Sequence, residues 1–522
     1  MTYLLHIVVA LALVMAAAEG LAFDVQLPWG VAALALAPHA LAWLVRKLGV
    51  AGHFATAGWI LLALRHSALG CFAIATLALG WSASVAEWSG TRLDLWSWPG
   101  LEILLVLVPF FAYTLLAIDA RVRLLDRRAE QQADLRRLEL RSLFASVLPF
   151  ALMIAATAAL GLYEPLRVQV EYVGLWSALF ATAVLAGLVW LLPWLLRHAW
   201  NTSPLPPGRA RSTLEHLAAR LRFRCGELVV WHTGFQQSNA AVVGIGPSRT
   251  VLFSDLLLAQ LSERELEAVF AHEIGHVVRH HVLVFAAWSL AFLLGADLLI
   301  DALGFGDSVE GLLLLGATLL LWYFVFGWFS RRVELEADWH ALEATGDAEA
   351  LISALERVGG THGRARDSWR HFGTARRMEF LRSAASDSSV GRRLARRLRN
   401  FGLAGGVAMT IVLAAQSREL LLAYPRDQVS ASLATGHYAR AADWAREAPD
   451  LEPELTVLVA RALSTGECAP STERLVQLAR EALERSARVE ALEYFTLAYL
   501  RGERSVGPEL DALEAELRTG SR

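Results

Sequence analysis

Long apolar runs set the pattern of this chain. A helix needs about 20 consecutive apolar residues to cross the hydrocarbon core of a bilayer. Residues 3–23, 29–45, 67–86, 101–118, 142–162, 173–196, 282–303 and 311–329 are read as spans on that basis. A ninth run, 401–416, is short and Gly-rich and is weighed as a candidate span. Residues 54–64 are too short to cross, so they are expected in the interface or as an extension of a neighbouring helix. The first run contains Ala16-Ala17-Ala18, which resembles a signal-peptide cleavage site. No Lys or Arg precedes it, which favours an uncleaved span.

Basic residues in the short loops orient the spans. Arg46 and Lys47 follow the second, Arg121 to Arg141 carries seven arginines after the fourth, and Arg197 follows the sixth. The alternate loops hold Asp24, an acidic stretch at 87–95, and Asp307 with Glu310. One threading fits all of them. The N-terminus is cytoplasmic, six spans follow, and 197–281 returns to the cytoplasm. Spans seven and eight then form a hairpin, and 330–400 is cytoplasmic again.

Between and after the spans the pattern changes period. Residues 226–254 alternate β-favouring runs (Leu228 to Trp231, Val242-Val243, Thr250 to Leu252) with turn residues such as Gly246-Pro247, and read as a small sheet. Residues 424–516 are helical in pattern. There Gly436, Tyr438, Ala441, Ala448 and Pro453 have the spacing of one tetratricopeptide helix pair, with a plain helical bundle as the alternative.

Composition agrees with a multi-spanning protein. Of 522 residues, 55% are hydrophobic and 19% charged, and the mean hydropathy is +0.41. The length suits two or three domains. A net charge of −3 gives no electrostatic footprint for nucleic acid. Cys71, Cys225 and Cys468 lie far apart and form no CxxC pair, so any metal falls to His and carboxylates.

The segment that carries chemistry is Ala271-His272-Glu273-Ile274-Gly275-His276. Ser262 with Glu265 makes a capping box, Leu261 with Leu266 a hydrophobic staple, and no proline follows before the seventh span. On a helix, residues four apart share a face, so His272 and His276 can offer two imidazoles to one ion. Glu273 is offset by about 100°, close enough to reach a water at the metal without being a ligand. Zinc suits such a set, with three protein ligands and one open position. The bland alternative is two surface histidines beside a solvated Glu.

A third ligand should come from a second helix returning to the same place. After the hairpin the chain reads Ser330-Arg331-Arg332-Val333-Glu334-Leu335-Glu336-Ala337-Asp338. Glu334 and Asp338 share a face, as a ligand carboxylate and a carboxylate that orients a ligand imidazole would. Without context, an ordinary surface helix explains Glu334 equally well.

HEIGH followed, after a membrane hairpin, by SRRVELEAD resembles the integral-membrane gluzincins: the HtpX-type heat-shock peptidases and the CAAX prenyl endopeptidases. Asn239-Ala240 with Gly244 is similar to their NAxxxG strand. His281 fits the histidine that commonly ends their HExxH helix. His371 and Arg377, with Leu381, resemble their late HPxxxxxR segment, with Phe372 in place of the proline. The match covers about 210–382.

The resemblance implies that His272, His276 and Glu334 hold one Zn2+ and that Glu273 is the general base. It implies that Asp338 supports the ligands and that His371, supported by Arg377, stabilises the oxyanion. Asn239 would hold the substrate backbone.

The fold expected is mainly α. It is a multi-spanning membrane protein with a zincin-like α+β catalytic domain and a C-terminal α-helical repeat-like domain. The domains expected are a six-span region at 1–200 and a metallopeptidase domain at 201–400 interrupted by the hairpin 282–329. The candidate span 401–416 and a TPR-like domain at 417–522 follow. The function expected is zinc-dependent hydrolysis of peptide bonds in membrane or membrane-attached proteins, at the cytoplasmic face of a bacterial inner membrane, in quality control. Two alternatives stand beside it: prenyl-peptide processing, and a non-catalytic zinc-bound scaffold. Partners expected are protein or peptide substrates, the bilayer, and a protein bound by the C-terminal helices.

A topology reporter fused at residue 307 should read the non-cytoplasmic side. A cytoplasmic signal there would break the hairpin and separate the two halves of the site.

Overall fold

The structure, a computed structural model, describes residues 2–17, 26–88, 101–124, 129–235, 237–244, 246, 249–306, 308–359, 367–369, 371–448, 451–465 and 470–520. Asp24, most of the acidic stretch 87–95, Trp96, Trp98, Pro247, Asp307 and Cys468 lie outside them. Among the described residues eight helices are long and apolar enough to cross a membrane: Pro28–Val50, Phe54–Ala78, Leu104–Leu124, Gln131–Leu160, Gly174–Leu191, His281–Ala302, Glu310–Thr345 and Ser389–Ala434.

The bounds of one expected span are corrected. The span expected at 67–86 begins at Phe54: an α-helix to Ala73 continues as a π-helical turn to Ala78. Residues 54–64 are therefore its first half, and the chain breaks at Gly80, where φ is +64°. Within the first run Thr2–Ala16 is helical, and residues 18–25 lie outside the described residues. Residues 401–416 lie within one 46-residue helix, Ser389–Ala434, which is itself long and apolar enough to cross a membrane and continues past 416.

The chain divides into two compact units: residues 1–158 with 187–409, and residues 159–186 with 410–522. In the first, four strands form one sheet: β1 (Thr202–Pro204), β2 (Glu227–Trp231), β3 (Ala240–Val243) and β4 (Thr250–Ser254). Their order is β1-β2-β4-β3, with β2 parallel to β4 and the outer pairs antiparallel. The β3–β4 turn starts at Gly244, whose φ of +101° favours glycine.

The helices of this unit are α1 (Arg209–Arg220), α2 (Asp255–Gln260), α3 (Glu263–Val278), α4 (His281–Ala302), α5 (Val309–Thr345), α6 (Ala348–Gly359), α7 (Thr374–Ser386) and α8 (Ser389–Ala434). α3 starts as its sequence requires. The Ser262 hydroxyl accepts from Glu265 N, and the Glu265 carboxylate accepts from Ser262 N at 2.8 Å, a cap worth about 1 kcal/mol. Phe270 and Ile274 are fully buried against Leu214, Phe253 and Leu381, each contributing about 1.5–3 kcal/mol.

α3 and α5 cross closely at Gly275. A Cβ there would lie 3.0 Å from His340 Cβ and 3.1 Å from Ala337 Cα. α3 does not run straight into the membrane. It ends at Val278, and His280 adopts a left-handed φ of +55°. His281 is thus the first residue of α4 rather than the last turn of the HExxH helix.

In the second unit, helices Tyr438–Glu447 and Pro453–Ser464 pack together, as do Thr472–Glu484 and Arg488–Leu500. Alanines 441, 479, 482, 491 and 498 are fully buried in its core with Tyr438 and Phe495. The end of α8 belongs here: Gln428 Nε2 donates to Gln169 Oε1 at 2.8 Å, and Gly174 N donates to Asp427 Oδ2 at 3.0 Å.

The Gly275 contact yields a test. Gly275→Val should destabilise the protein by about 1–3 kcal/mol through overpacking, lower its Tm, and reduce bound metal. An unchanged Tm with unchanged metal content would show that the crossing tolerates a larger side chain.

Candidate metal centre

Three donor groups converge where α3 crosses α5. One ligand atom each of His272, His276 and Glu334 lie within 4.8 Å of one another, the one such group of three among the described residues. His272 Nε2 and His276 Nε2 are 3.2 Å apart. Each lies 3.8 Å from a Glu334 oxygen. Tetrahedral zinc with bonds of about 2.0–2.1 Å separates its nitrogen ligands by about 3.3 Å. The donor set and its spacing therefore fit such an ion.

Each imidazole is backed by a carboxylate, one directly and one through a further histidine. His272 Nδ1 lies 2.9 Å from Asp338 Oδ1, an ion-pair distance rather than an aligned hydrogen bond. Asp338 is fully buried and bound by Arg377, whose Nε and Nη2 donate to its two oxygens at 2.8 and 2.6 Å. His276 Nδ1 meets His281 Nδ1 at 2.8 Å, and His281 Nε2 meets Glu336 Oε2 at 3.1 Å. Such partners fix which ring nitrogen faces a metal.

Sequence reading missed Glu336. It lies about 200° around the helix from Glu334, and only the turn at His280 brings a histidine to that side.

Electrostatics follow from burial. Burial pushes the Glu273 carboxyl up to about 7, with His272 pulling against it and Glu334 adding to it. Burial, with His272 beside it, pushes His276 down to about 3, which favours the neutral ring a metal requires. His272 is raised: burial opposes its charge, but Asp338 outweighs that.

His371 Nδ1 reaches Glu334 Oε1 at 3.4 Å, with its side chain half exposed at 52%. Arg377, expected to support His371, instead spans Asp338 and Glu334, its Nη1 lying 3.4 Å from Glu334 Oε2. The His371 backbone is held by Ser368, its N donating to Ser368 Oγ at 2.9 Å and its O accepting from Ser368 N at 2.8 Å, and the neighbouring Trp369 anchors Ser368 to α5. That indole stacks on Tyr323 at 4.5 Å and donates its Nε1–H to Tyr323 O at 3.1 Å. It fits only because residue 327 is glycine, since a Cβ there would lie 2.4 Å from the indole nitrogen. Phe372, standing where the resemblance expects proline, lies under the Arg376 guanidinium at 4.2 Å. An aromatic clamp thus fixes this turn.

His272, Glu273, His276, Glu334, His371 and Arg377 line a cleft of about 610 Å3 that also takes in Asn239, Ala240, Ala241 and Val242. Asn239 is tied by its backbone to Ser254, donating to Oγ and accepting from N, both at 2.9 Å. β3 is an outer strand, so its second edge is open to the cleft.

The family model for Peptidase family M48 matches residues 204–359. A CAAX prenyl protease 1 homolog of Oryza sativa subsp. japonica is 31% identical over 204 residues, covering 35% of this chain and 47% of that protein. The Protease HtpX homolog 1 of Sulfolobus acidocaldarius is 28% identical over 201 residues, 34% of this chain and 64% of that one. The Protease HtpX of Xylella fastidiosa (strain M12) is 32% identical over 158 residues, covering 27% and 50%. This chain thus spans about half the length of the curated relatives it matches. The crystal structure of S. mikatae Ste24p aligns at 17% identity over 69% of this chain and 100% of that one. Its TM-score of 0.36 supports no argument about the fold. Residues 204–359 thus resemble peptidase family M48, and they include the helix pair that carries His272, His276 and Glu334 in a chain with eight helices long and apolar enough to cross a membrane.

Proposed function

We propose that this protein is a zinc endopeptidase that cleaves membrane or membrane-attached proteins at the cytoplasmic surface, in quality control. The observation that carries this reading is the convergence of His272, His276 and Glu334 beside buried Glu273, in a cleft bordered by an open strand edge. In this proposal the two imidazoles and the Glu334 carboxylate hold Zn2+. Zinc held there supplies Lewis-acid charge at the scissile carbonyl.

The protein's own groups do the rest. Substrate adds as a strand along the open edge of β3, its backbone paired with Ala240 to Val243 and fixed by Asn239. Glu273 takes a proton from the attacking water and passes it to the leaving amine. Burial raises the Glu273 carboxyl above the ordinary carboxylate range, toward what a proton carrier needs. The tetrahedral oxyanion falls to His371, whose backbone is fixed by Ser368. Arg377 and Asp338 hold His272 and Glu334 in place.

Three features support a membrane-delivered substrate. α4 and α5 carry the site's flanks directly into spanning segments, the cleft reaches Phe285 and Phe326 on those helices, and the relatives named above are membrane-protease homologues. The basic loops support a cytoplasmic site. Prenyl-peptide processing remains the second reading because a CAAX prenyl protease 1 homolog is among the relatives this chain resembles.

Glu273→Gln should retain zinc and lose cleavage of a membrane substrate by about 100-fold or more. Cleavage that survives the change would refute the mechanism. If wild-type activity required a farnesylated cysteine peptide, the prenyl reading would take first place.

Glu334→Ala should strip bound zinc, read by elemental analysis of purified protein. A full zinc complement in that variant would remove Glu334 from the ligand set and leave the site without its third donor.

A further inference from the structure

Behind His276, on the side away from the substrate cleft, a second cleft of about 620 Å3 opens between α4, α5 and α8. Its inner wall includes His281 and Glu336, the pair that backs His276. Four arginines, Arg279, Arg392, Arg396 and Arg399, line the cleft against two acids, Glu336 in the inner wall and Glu343. Arg279 answers both acids, at 3.8 Å and 3.2 Å. Arg392 is engaged by Ser388 at 2.7 Å. Arg396 and Arg399 are exposed, and neither makes an ion pair among the described residues. They are three apart on one helix and so are neighbours on its surface.

The deeper part of the cleft is apolar, lined by Val284, Phe329, Leu398 and Leu403. This groove is a built feature. α8 meets α4 through two glycines: a Cβ at Gly402 would lie 3.1 Å from Val284, and one at Gly405 would lie 2.5 Å from Trp288 Nε1. Trp288 stacks on Phe401 at 4.8 Å and donates to its carbonyl at 3.1 Å. The unpaired arginines therefore sit where α4 and α8 turn apolar, directly above a preformed hydrophobic groove.

We propose that this cleft binds an anionic phospholipid, its phosphate between Arg396 and Arg399 and an acyl chain along Val284, Phe329 and Leu403. Arginine is the side chain best suited to phosphate, and basic pockets between spanning helices recognise anionic headgroups. A soluble anion would leave the groove empty, and a zwitterionic lipid would leave two arginines uncompensated. The two clefts share His281 alone among their lining residues, and occupancy of this one does not depend on the catalytic reading.

The test uses the full-length purified protein in detergent, with binding of phosphatidylglycerol measured by native mass spectrometry. Wild type should bind phosphatidylglycerol at least tenfold tighter than phosphatidylcholine. The double variant Arg396→Gln/Arg399→Gln should weaken phosphatidylglycerol about 30-fold, from two arginine contacts at an anionic surface. The control Arg393→Gln/Arg397→Gln removes the same charge from the same helix outside the cleft, and should keep affinity within about threefold of wild type.

An equal loss in the control would mean diffuse surface charge and overturn the proposal. So would equal binding of the two lipids, or inorganic phosphate binding as tightly as the phospholipid. A Tm measured without lipid checks that each variant is folded.

Discussion

Everything at the metal centre depends on how closely two helices approach. α3 brings His272, Glu273 and His276, and α5 brings Glu334, Glu336 and Asp338. These side chains are short, so their donor atoms meet only if the helix backbones nearly touch. Gly275 allows this, lying one residue before His276 with Ala337 opposite. The motif written as HEIGH is thus half chemistry and half packing. Its histidines supply donors, and its glycine sets their distance from the carboxylate.

That approach also buries charge, which needs compensation. Asp338 has no exposure at all, and isolated ions in such a place cost several kcal/mol each. Arg377 answers it with two hydrogen bonds and extends to Glu334. Because Arg377 comes from α7, a third helix is recruited to the site by electrostatics. Breaking a buried pair of this kind typically costs about 3–5 kcal/mol. The arginine therefore fixes Asp338 and Glu334 together, with His371 held separately by its backbone bonds to Ser368.

The membrane enters through α5. Its 37 residues form one unbroken helix, so the apolar segment and the carboxylates move as a rigid rod. α4 is offset from α3 by the left-handed turn at His280, and that turn delivers His281 between His276 and Glu336. The depth of the donors relative to the bilayer is thus set by the spans themselves. The arginine-rich start of α8 stands over the same boundary.

The sequence by itself determined the local chemistry. Helical spacing puts His272 and His276 on one face, Ser262 and Glu265 set where α3 begins, and apolar length marks most of the spans. These are short-range consequences of a 3.6-residue repeat and of bilayer thickness, so they are legible without a fold. Boundaries were less so: residues 54–64 join their span because helix propagation outruns a local dip in apolarity. Only the tertiary structure decided what lies opposite what. Glu336 pairs with His281, Arg377 chooses Asp338 over His371, and Trp369 fills the notch at Gly327. Each of these joins residues between 39 and 55 positions apart or rests on a missing Cβ, and no period along the chain encodes such a meeting.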